Sequence, residues 1–537
     1  MGFETLMGDE AIALAAVHAG VGGAFAYPGT PATEIMEYLQ ELALRPNKNE
    51  DDGFVAQWCT NEKTAYESAL GASFAGRRAL VSMKHVGLNV AADPFVNSAL
   101  IKINGGLVVV VADDPGMHSS QDEQDSRWLA DFARVPCLEP ADQQEAYDMT
   151  REAFDLSEKM ETPVMLRITT RLAHSRSVVE TGSRRGGNPI QKPAPGMDWI
   201  LMPAVARKRW KEVVEKQATL RAMSDASQWN PLAKGGKLGV VTTGLALQYY
   251  RENLDDYAAA RGGKPAHLHV GFYPMPEGRL RELYAACDEL LVIEEGYPLV
   301  ERLLRGVVAP GKKIMGKESG EIPYDGELSP DIVRKALGLP ERTGLAVKEL
   351  APPGRPPQLC QGCPHADSYT ALKEALKDYP IFGVMSDIGC YTLGALPPYN
   401  AIESCVDMGA SIGMARGAGE VGLSPTVAVI GDSTFYHSGL PNLIDAVSHR
   451  SNLTVMILDN DTTGMTGAQP TILPSSRLEP VLKGVGVEPD HIRVLRAHRN
   501  EHEKNVAAIK AELAYDGPSV IVLVRECLEA LKKARKA

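Results

Sequence analysis

The sequence predicts an α/β protein of several domains, in which parallel sheets are flanked by helices. Three observations predict it. Strand-length apolar runs such as 107–112 alternate with helix-length stretches along most of the chain, an alternation that builds parallel sheets covered on both faces. At 537 residues the chain is too long for one ordinary core. Two Pro- and Gly-rich stretches, 185–196 and 351–357, interrupt the pattern and divide it into three.

The elements follow in order. In the first domain 23–27, 54–58, 79–83, 107–112 and 163–168 read as strands, with helices over 10–19, 33–42 and 61–75. After the connection at 185–196 comes a Lys- and Arg-bearing helix over 205–223. Strands resume at 238–242, 268–271 and 289–294. Beyond 351–357, strands at 381–385, 426–430, 453–458 and 519–524 build a third α/β domain. The implied division is 1–184, a linker and helical connection over 185–235, then 236–350 and 351–537. In such sheets the ligand crevice lies at the carboxyl ends of strands.

Composition excludes several functions. Hydrophobic residues make up 44% of the chain and charged residues 23%, as in globular proteins generally. A net charge of −12 argues against a nucleic-acid partner, which needs clustered Lys and Arg. No apolar run approaches the roughly 20 residues of a membrane helix, and an N-terminus carrying Glu4, Asp9 and Glu10 is unlike a secretory signal. A cytoplasmic protein with no membrane partner is expected. Eight cysteines in that compartment are not a disulfide framework. Cys59, Cys137, Cys287 and Cys405 read as small apolar residues.

The densest chemistry lies in the third domain. The strand at 426–430 runs into Gly431-Asp432-Ser433, and the next strand, 453–458, ends in Asp459-Asn460-Asp461-Thr462. These strand ends are one βαβ crossover apart. Asp432 offers a carboxylate, Asn460 an amide oxygen and the backbone near Thr462 a carbonyl, which together suit a hard divalent ion bound with a diphosphate. Gly431 lets a backbone approach phosphate closely. Four further cysteines stand where ligands are useful. Cys360 and Cys363 form a C-x-x-C, Cys390 follows the strand at 381–385, and Cys527 follows the last strand. A C-x-x-C alone is redox-active, zinc-binding or half of a cluster site. In the first domain Glu62 sits in the first turn of a helix, with Thr60 as candidate N-cap. A helix-dipole acid is the plain alternative. Thr30, in Tyr27-Pro28-Gly29-Thr30-Pro31, and His85, after Lys84, also lie at strand ends. Thr30 suits a carboxylate hydrogen bond, with a Pro-Gly turn and a helix cap at Thr30 or Thr33 as the plain alternative, and His85 suits an acid–base role, with a satisfied structural histidine as the alternative. A polar loop, 113–121, follows another strand.

The GDS…N pair resembles the metal–diphosphate signature of thiamine-diphosphate enzymes. The strings GDSTFYHSGLPNLIDAV, LDNDTTGMTGAQPT and WCTNEKTAYESALGASFAG resemble the large subunit of indolepyruvate:ferredoxin oxidoreductases. This resemblance implies a thiamine-diphosphate-binding fold. Residues 1–184 would be the pyrimidine-binding domain, 236–350 a transketolase C-terminal-like domain and 351–537 the diphosphate-binding domain. It implies Mg²⁺ on Asp432, Asn460 and Thr462, with Gly431, Ser433, Thr466 and Gln469 along the coenzyme. Glu62 would hydrogen-bond the aminopyrimidine, with Thr30 and His85 as further catalytic residues. Cys360, Cys363, Cys390 and Cys527 are similar to the set that holds a [4Fe–4S] cluster in related small subunits. The family's C-terminal ferredoxin domain, with two CxxCxxCxxxC runs, has no counterpart here, and Ala366 stands where the family tends to have arginine. Electrons are therefore expected to leave through the cluster.

The implied activity is oxidative decarboxylation of a 2-oxoacid, an aryl pyruvate such as indolepyruvate, to acyl-CoA and CO₂. Coenzyme A is the co-substrate and ferredoxin, or a ferredoxin-like subunit, the acceptor. The implied assembly is a homodimer core that pairs with a small second subunit as α2β2. Two alternatives keep some of this pattern: a non-oxidative 2-oxoacid decarboxylase, and a non-catalytic iron–sulfur assembly subunit.

Overall fold

The computed structural model describes residues 2–44, 53–344 and 357–534. The chain forms two compact units, Met1–Ala346 and Val347–Ala537.

The first unit opens with β1 (Gly2–Met7), α1 (Gly8–His18), β2 (Gly23–Ala26), α2 (Thr33–Leu44), β3 (Val55–Trp58), α3 (Glu62–Phe74), β4 (Ala79–Lys84), α4 (His85–Val90) and α5 (Ala92–Ser98). It continues with β5 (Leu107–Asp113), α6 (Arg127–Ala133), β6 (Cys137–Leu138), α7 (Gln143–Met160), β7 (Val164–Thr169), α8 (Thr170–His174) and β8 (Arg176–Thr181). After the long α9 (Pro203–Ala226) come β9 (Leu232–Ala233), β10 (Leu238–Thr243), α10 (Ala246–Arg261), β11 (Ala266–Val270) and β12 (Phe272–Tyr273). The unit closes with α11 (Glu277–Ala286), β13 (Glu289–Ile293), α12 (Leu299–Val307), β14 (Lys313–Met315) and α13 (Pro330–Ala336).

Two sheets result. One has seven strands in the order β12-β6-β7-β5-β4-β2-β3, the other five in the order β14-β13-β10-β11-β9. Both are parallel except at the edges, where β12 and β9 run antiparallel to their neighbours. A separate antiparallel pair joins β1 to β8. Strand alternation sets the core: Val108 and Val110 of β5 pack with α1, α2 and α7, while Val109 and Val111 face the other way. That second face is shared with Val241, Leu268 and Leu290 of the five-stranded sheet. The break expected over 185–235 therefore does not separate independent bodies. The segment leads into α9, and β12 returns to extend the first sheet through β6.

The second unit contains α14 (Pro364–Ala375), β15 (Gly383–Ser386), β16 (Ser404–Cys405), α15 (Ala410–Glu420), β17 (Thr426–Gly431), α16 (Leu440–Ser448) and β18 (Leu453–Asp459). The short hairpin β19 (Thr462–Thr463) and β20 (Gln469–Pro470) precedes α17 (Leu478–Gly484), β21 (Ile492–Arg496), α18 (His502–Leu513), β22 (Pro518–Val524) and α19 (Leu528–Ala534). Six parallel strands take the order β16-β15-β17-β18-β22-β21. Val427 and Val429 face α14 and α18, and Ala428 and Ile430 face α15 and α16. The Pro-rich boundary at 351–357 lies, apart from Pro357, outside the described residues.

Candidate functional site

In the second unit β17 and β18 run side by side, with Gly431 opposite Leu458. Their carboxyl ends deliver Asp432 and the segment after Asp459 to one crevice, beside the β15–β17 position where the strand order reverses. Asp432, Asp459, Asn460 and Thr462 are all buried. Oδ2 of Asp432 and Oδ2 of Asp459 find no hydrogen-bond partner among the described residues. The other Asp459 oxygen accepts from the Asp461 N–H at 3.1 Å and the Ser475 hydroxyl at 2.8 Å. Burial, then the charges of Asp459 and Asp461, push the Asp432 carboxyl well above the ordinary carboxylate range, and burial raises Asp459 too. Orphaned carboxylate oxygens in one buried pocket fit a divalent cation, which relieves both the desolvation and the repulsion.

Neighbouring groups set the donors around that pocket. The Asn460 amide nitrogen lies 3.3 Å from His365 Nε2. Burial lowers the His365 pKa to about 4, so the neutral ring accepts and the amide is oriented. Asn460 Oδ1 accepts from the Thr462 N–H at 3.3 Å. Thr463 donates to the Ser433 hydroxyl at 3.0 Å and ties the two loops together. Thr466 and Gln469 brace the β19–β20 hairpin: the Thr466 hydroxyl donates to Gln469 Oε1 at 2.5 Å, and Gln469 Nε2 returns a bond to the Thr466 carbonyl at 2.9 Å. Gly431 has a reason the sequence did not disclose. A Cβ there would come 2.5 Å from Cε1 of Tyr391. Tyr391 donates to Asp387, whose other oxygen accepts from the Ser411 hydroxyl at 2.5 Å. Burial raises Asp387 to about 7. Sequence reasoning assigned no role to His365, Asp387, Tyr391 or Asp459, although each sits in or beside a motif it singled out.

The cysteines gather near this loop without closing up. An ideal Cβ on Gly464 would lie 3.3 Å from Cys390 Sγ, 3.8 Å from Cys527 Sγ and 4.0 Å from Asn460 Nδ2. Cys527 donates its N–H to the Asn460 carbonyl at 3.3 Å, and Cys363, capping α14, donates its N–H to the Cys360 carbonyl at 3.0 Å. Burial raises the Cys363 thiol, and pushes Cys390 up to about 12, with the other three cysteines adding to that shift. No three of these thiols lie within 4.8 Å of one another. Elsewhere Cys137 and Cys287 are buried as expected, Cys59 is half-buried, and Cys405 is exposed rather than apolar filling.

In the first unit the strand order reverses at β2, with β3 on one side and β4 on the other. Thr30 follows β2, Glu62 follows β3, Lys84 ends β4 and His85 opens α4. Asn61, not Thr60, caps α3: its side chain accepts from the Thr64 N–H at 2.9 Å, while Thr60 pairs with the Thr64 hydroxyl. Glu62 is buried at the start of α3. A Cβ on Gly87 would come 2.6 Å from its Oε1, so α4 packs against the carboxylate. His85 is buried, with Nε2 3.3 Å from Asp122. Lys84 donates to the Ser119 carbonyl at 2.7 Å, and burial lowers its pKa to about 8. The Ser119 hydroxyl in turn reaches the Thr30 carbonyl at 3.5 Å. Asp114 folds this loop by accepting from the Ser119 N–H and the Ser120 and Thr170 hydroxyls. Lys84 and Asp122 join Thr30, His85 and Glu62 at this end of the sheet, and the sequence alone gives neither a role.

Both halves of this arrangement match known families. Residues 14–194 match "Pyruvate flavodoxin/ferredoxin oxidoreductase, thiamine diP-bdg", and 387–523 match "Thiamine pyrophosphate enzyme, C-terminal TPP binding domain". The indolepyruvate oxidoreductase subunit IorA of Archaeoglobus fulgidus is 37% identical, over 99% of this chain and 87% of that protein. The IorA of Methanothermobacter thermautotrophicus is 37% identical, over 97% of this chain and 86% of that one. A solved 2-oxoglutarate:ferredoxin oxidoreductase from Magnetococcus marinus shares the fold at 18% identity, with a TM-score of 0.50 over 62% of this chain and 65% of that one. With two thiamine-diphosphate-binding modules and relatives this similar across nearly its whole length, the chain belongs to the indolepyruvate oxidoreductase IorA subunit family.

Proposed function

We propose that this chain is the coenzyme-binding subunit of a 2-oxoacid:ferredoxin oxidoreductase. It oxidatively decarboxylates an aryl pyruvate such as indolepyruvate to the acyl-CoA and CO₂, and ferredoxin takes the electrons. The observation that carries this reading is the pair of buried carboxylate oxygens on Asp432 and Asp459, unpartnered beside the oriented Asn460 amide. Asp432, Asn460 and the Thr462 carbonyl would hold Mg²⁺ with the coenzyme diphosphate, and Gly431, Ser433, Thr466 and Gln469 would line it. Thiamine diphosphate supplies the electron sink for loss of CO₂.

The chain's own residues do the rest. Glu62, held by α4, would accept a hydrogen bond from the aminopyrimidine. Thr30 would receive the substrate carboxylate, and His85, steadied by Asp122, would move a proton. Lys84 offers a cation on the same strand. Cys360, Cys363, Cys390 and Cys527 would hold [4Fe–4S], because two of the thiols flank Gly464, next to the Asn460 amide. Thiolates on one Zn²⁺ at about 2.3 Å each would sit closer together than these do. A homodimer core paired with a small second subunit would form an α2β2 enzyme. The enzyme would act in the cytoplasm, where its thiols stay reduced. Among the described residues no helix is long and apolar enough to cross a membrane.

The test is anaerobic purification with the partner subunit, followed by assay against a panel of 2-oxoacids with CoA and a viologen dye. A brown protein that reduces the dye with indolepyruvate and forms acyl-CoA is expected. A colourless protein that releases aldehyde without reducing dye would overturn the oxidative reading.

A further inference from the structure

Asp9 is the first unit's unexplained residue. It is fully buried, and neither carboxylate oxygen has a hydrogen-bond partner among the described residues. It sits in the first turn of α1, as Glu34 does in the first turn of α2. Acids in first turns usually answer the positive helix end from the surface, at little cost. A fully buried and unpaired one is costly unless something compensates it. What faces Asp9 is Glu34 together with His174, the last residue of α8. One ligand atom from each lies within 4.8 Å of the others, and His174 Nε2 is 3.5 Å from Glu34 Oε2. Burial, followed by the charges of Glu34 and Glu10, raises Asp9 well above the ordinary carboxylate range.

We propose that Asp9, Glu34 and His174 form a divalent metal site of the Zn²⁺ type, joining α1, α2 and α8. Donors on one such ion lie about 3–4 Å apart, a small contraction from the present spacing. One imidazole with two carboxylates favours a first-row transition ion over Ca²⁺ or Mg²⁺, which take oxygen sets. The side chains of Glu34 and His174 are 32% and 35% exposed, which leaves an entry path to the buried Asp9. Glu10 is not available as a fourth ligand, since it accepts from the Met7 N–H and Arg176. The site is structural. It uses none of Cys360, Cys363, Cys390 and Cys527, which belong to the other compact unit, and it fixes the start of α2 just after the Thr30 turn.

The test uses the chelator-treated full-length chain with Zn²⁺ as the probe. Bound zinc is counted by mass spectrometry after gel filtration, in wild type and in Glu34→Gln and His174→Ala. Wild type is expected to retain one more equivalent than either variant, and Zn²⁺ to raise its melting temperature more than theirs. Comparison with the variants removes any zinc held by the thiols. Equal retention in all three proteins would overturn the site. If a variant fails to fold, carbethoxylation of wild-type histidines replaces it. Zn²⁺ should protect His174 while the exposed His118 still reacts, and unprotected His174 would overturn the proposal.

Discussion

Asp432 shows how a single residue can be unfavourable for the fold and suited to a ligand. Its buried, unpartnered oxygen and its repulsion from Asp459 and Asp461 weaken the coenzyme-free protein. Asp432→Asn should therefore leave the melting temperature of that form unchanged or higher, while thiamine-diphosphate binding with Mg²⁺ falls at least tenfold by calorimetry. A large fall in stability would contradict the strain assigned to the carboxylate. At the proposed metal–diphosphate site His365 would act through Asn460 and not on the ligand. His365→Ala should weaken Mg²⁺-dependent coenzyme binding about 10–100-fold, the usual effect of losing the group that orients a ligand. The strand ends carrying Asp432 and Asn460 were legible because apolar runs stop there and hard-oxygen donors begin. His365 was not, because its role depends on folding β18 back beside α14, a long-range contact that no local pattern encodes. Gly431 was legible as a glycine needing space, but its neighbour Tyr391, forty positions earlier in the chain, was hidden for the same reason.

At the scale of elements, α3 and α4 act as a pair. The missing Cβ at Gly87 makes the room in which the Glu62 carboxylate lies. Gly87→Ala should fold, since the added Cβ would meet only side-chain atoms of Glu62 and no backbone, but should push Glu62 aside. We expect at least a tenfold loss of kcat with little change in secondary structure by circular dichroism. Unchanged kcat would remove Glu62 from the chemistry. Strands buried on both faces, such as β4, β5, β17 and β18, were readable as continuous apolar runs. The β1–β8 pair was missed because most of its residues, Phe3 and Val178 among them, are exposed. The two-residue strands β6, β9 and β12 carry no periodicity to read. The 18-residue α7 is amphipathic, a helix absent from the sequence reading.

Across the first unit, Arg127 and Arg167 anchor a buried network that no segment reveals alone. Arg127 bonds Asp125, Tyr273 and the Glu295 carbonyl, and lies 3.2 Å from Glu294. Arg167 bonds Asp113 and Glu139. Arg127→Leu removes the guanidinium that neutralises buried Asp125 and lies beside Glu294, and should cost about 3–5 kcal/mol in chemical denaturation. The network also sets a pH response. Burial raises Glu294 from an ordinary 4.5 to about 7. The folded state thus binds this proton more tightly than the unfolded one, so its contribution is full below about 4.5 and is lost as pH rises through 7. Between pH 5 and 8 wild type should lose more stability than Glu294→Gln, and identical pH profiles would refute this. Partners up to 170 positions apart in sequence explain why two compact units emerged where the Pro- and Gly-rich stretches suggested three bodies.

The strand β12 reaches back across more than a hundred residues to line the margin of β6. A nascent chain cut short near residue 184 would present that margin uncovered and both guanidinium groups without their downstream contacts. Open sheet margins recruit other chains. Expression of such a truncated fragment should give insoluble aggregates, whereas a fragment ending near residue 344 should stay dispersed. Vectorial synthesis therefore cannot complete the N-terminal module until the distal strand has left the ribosome.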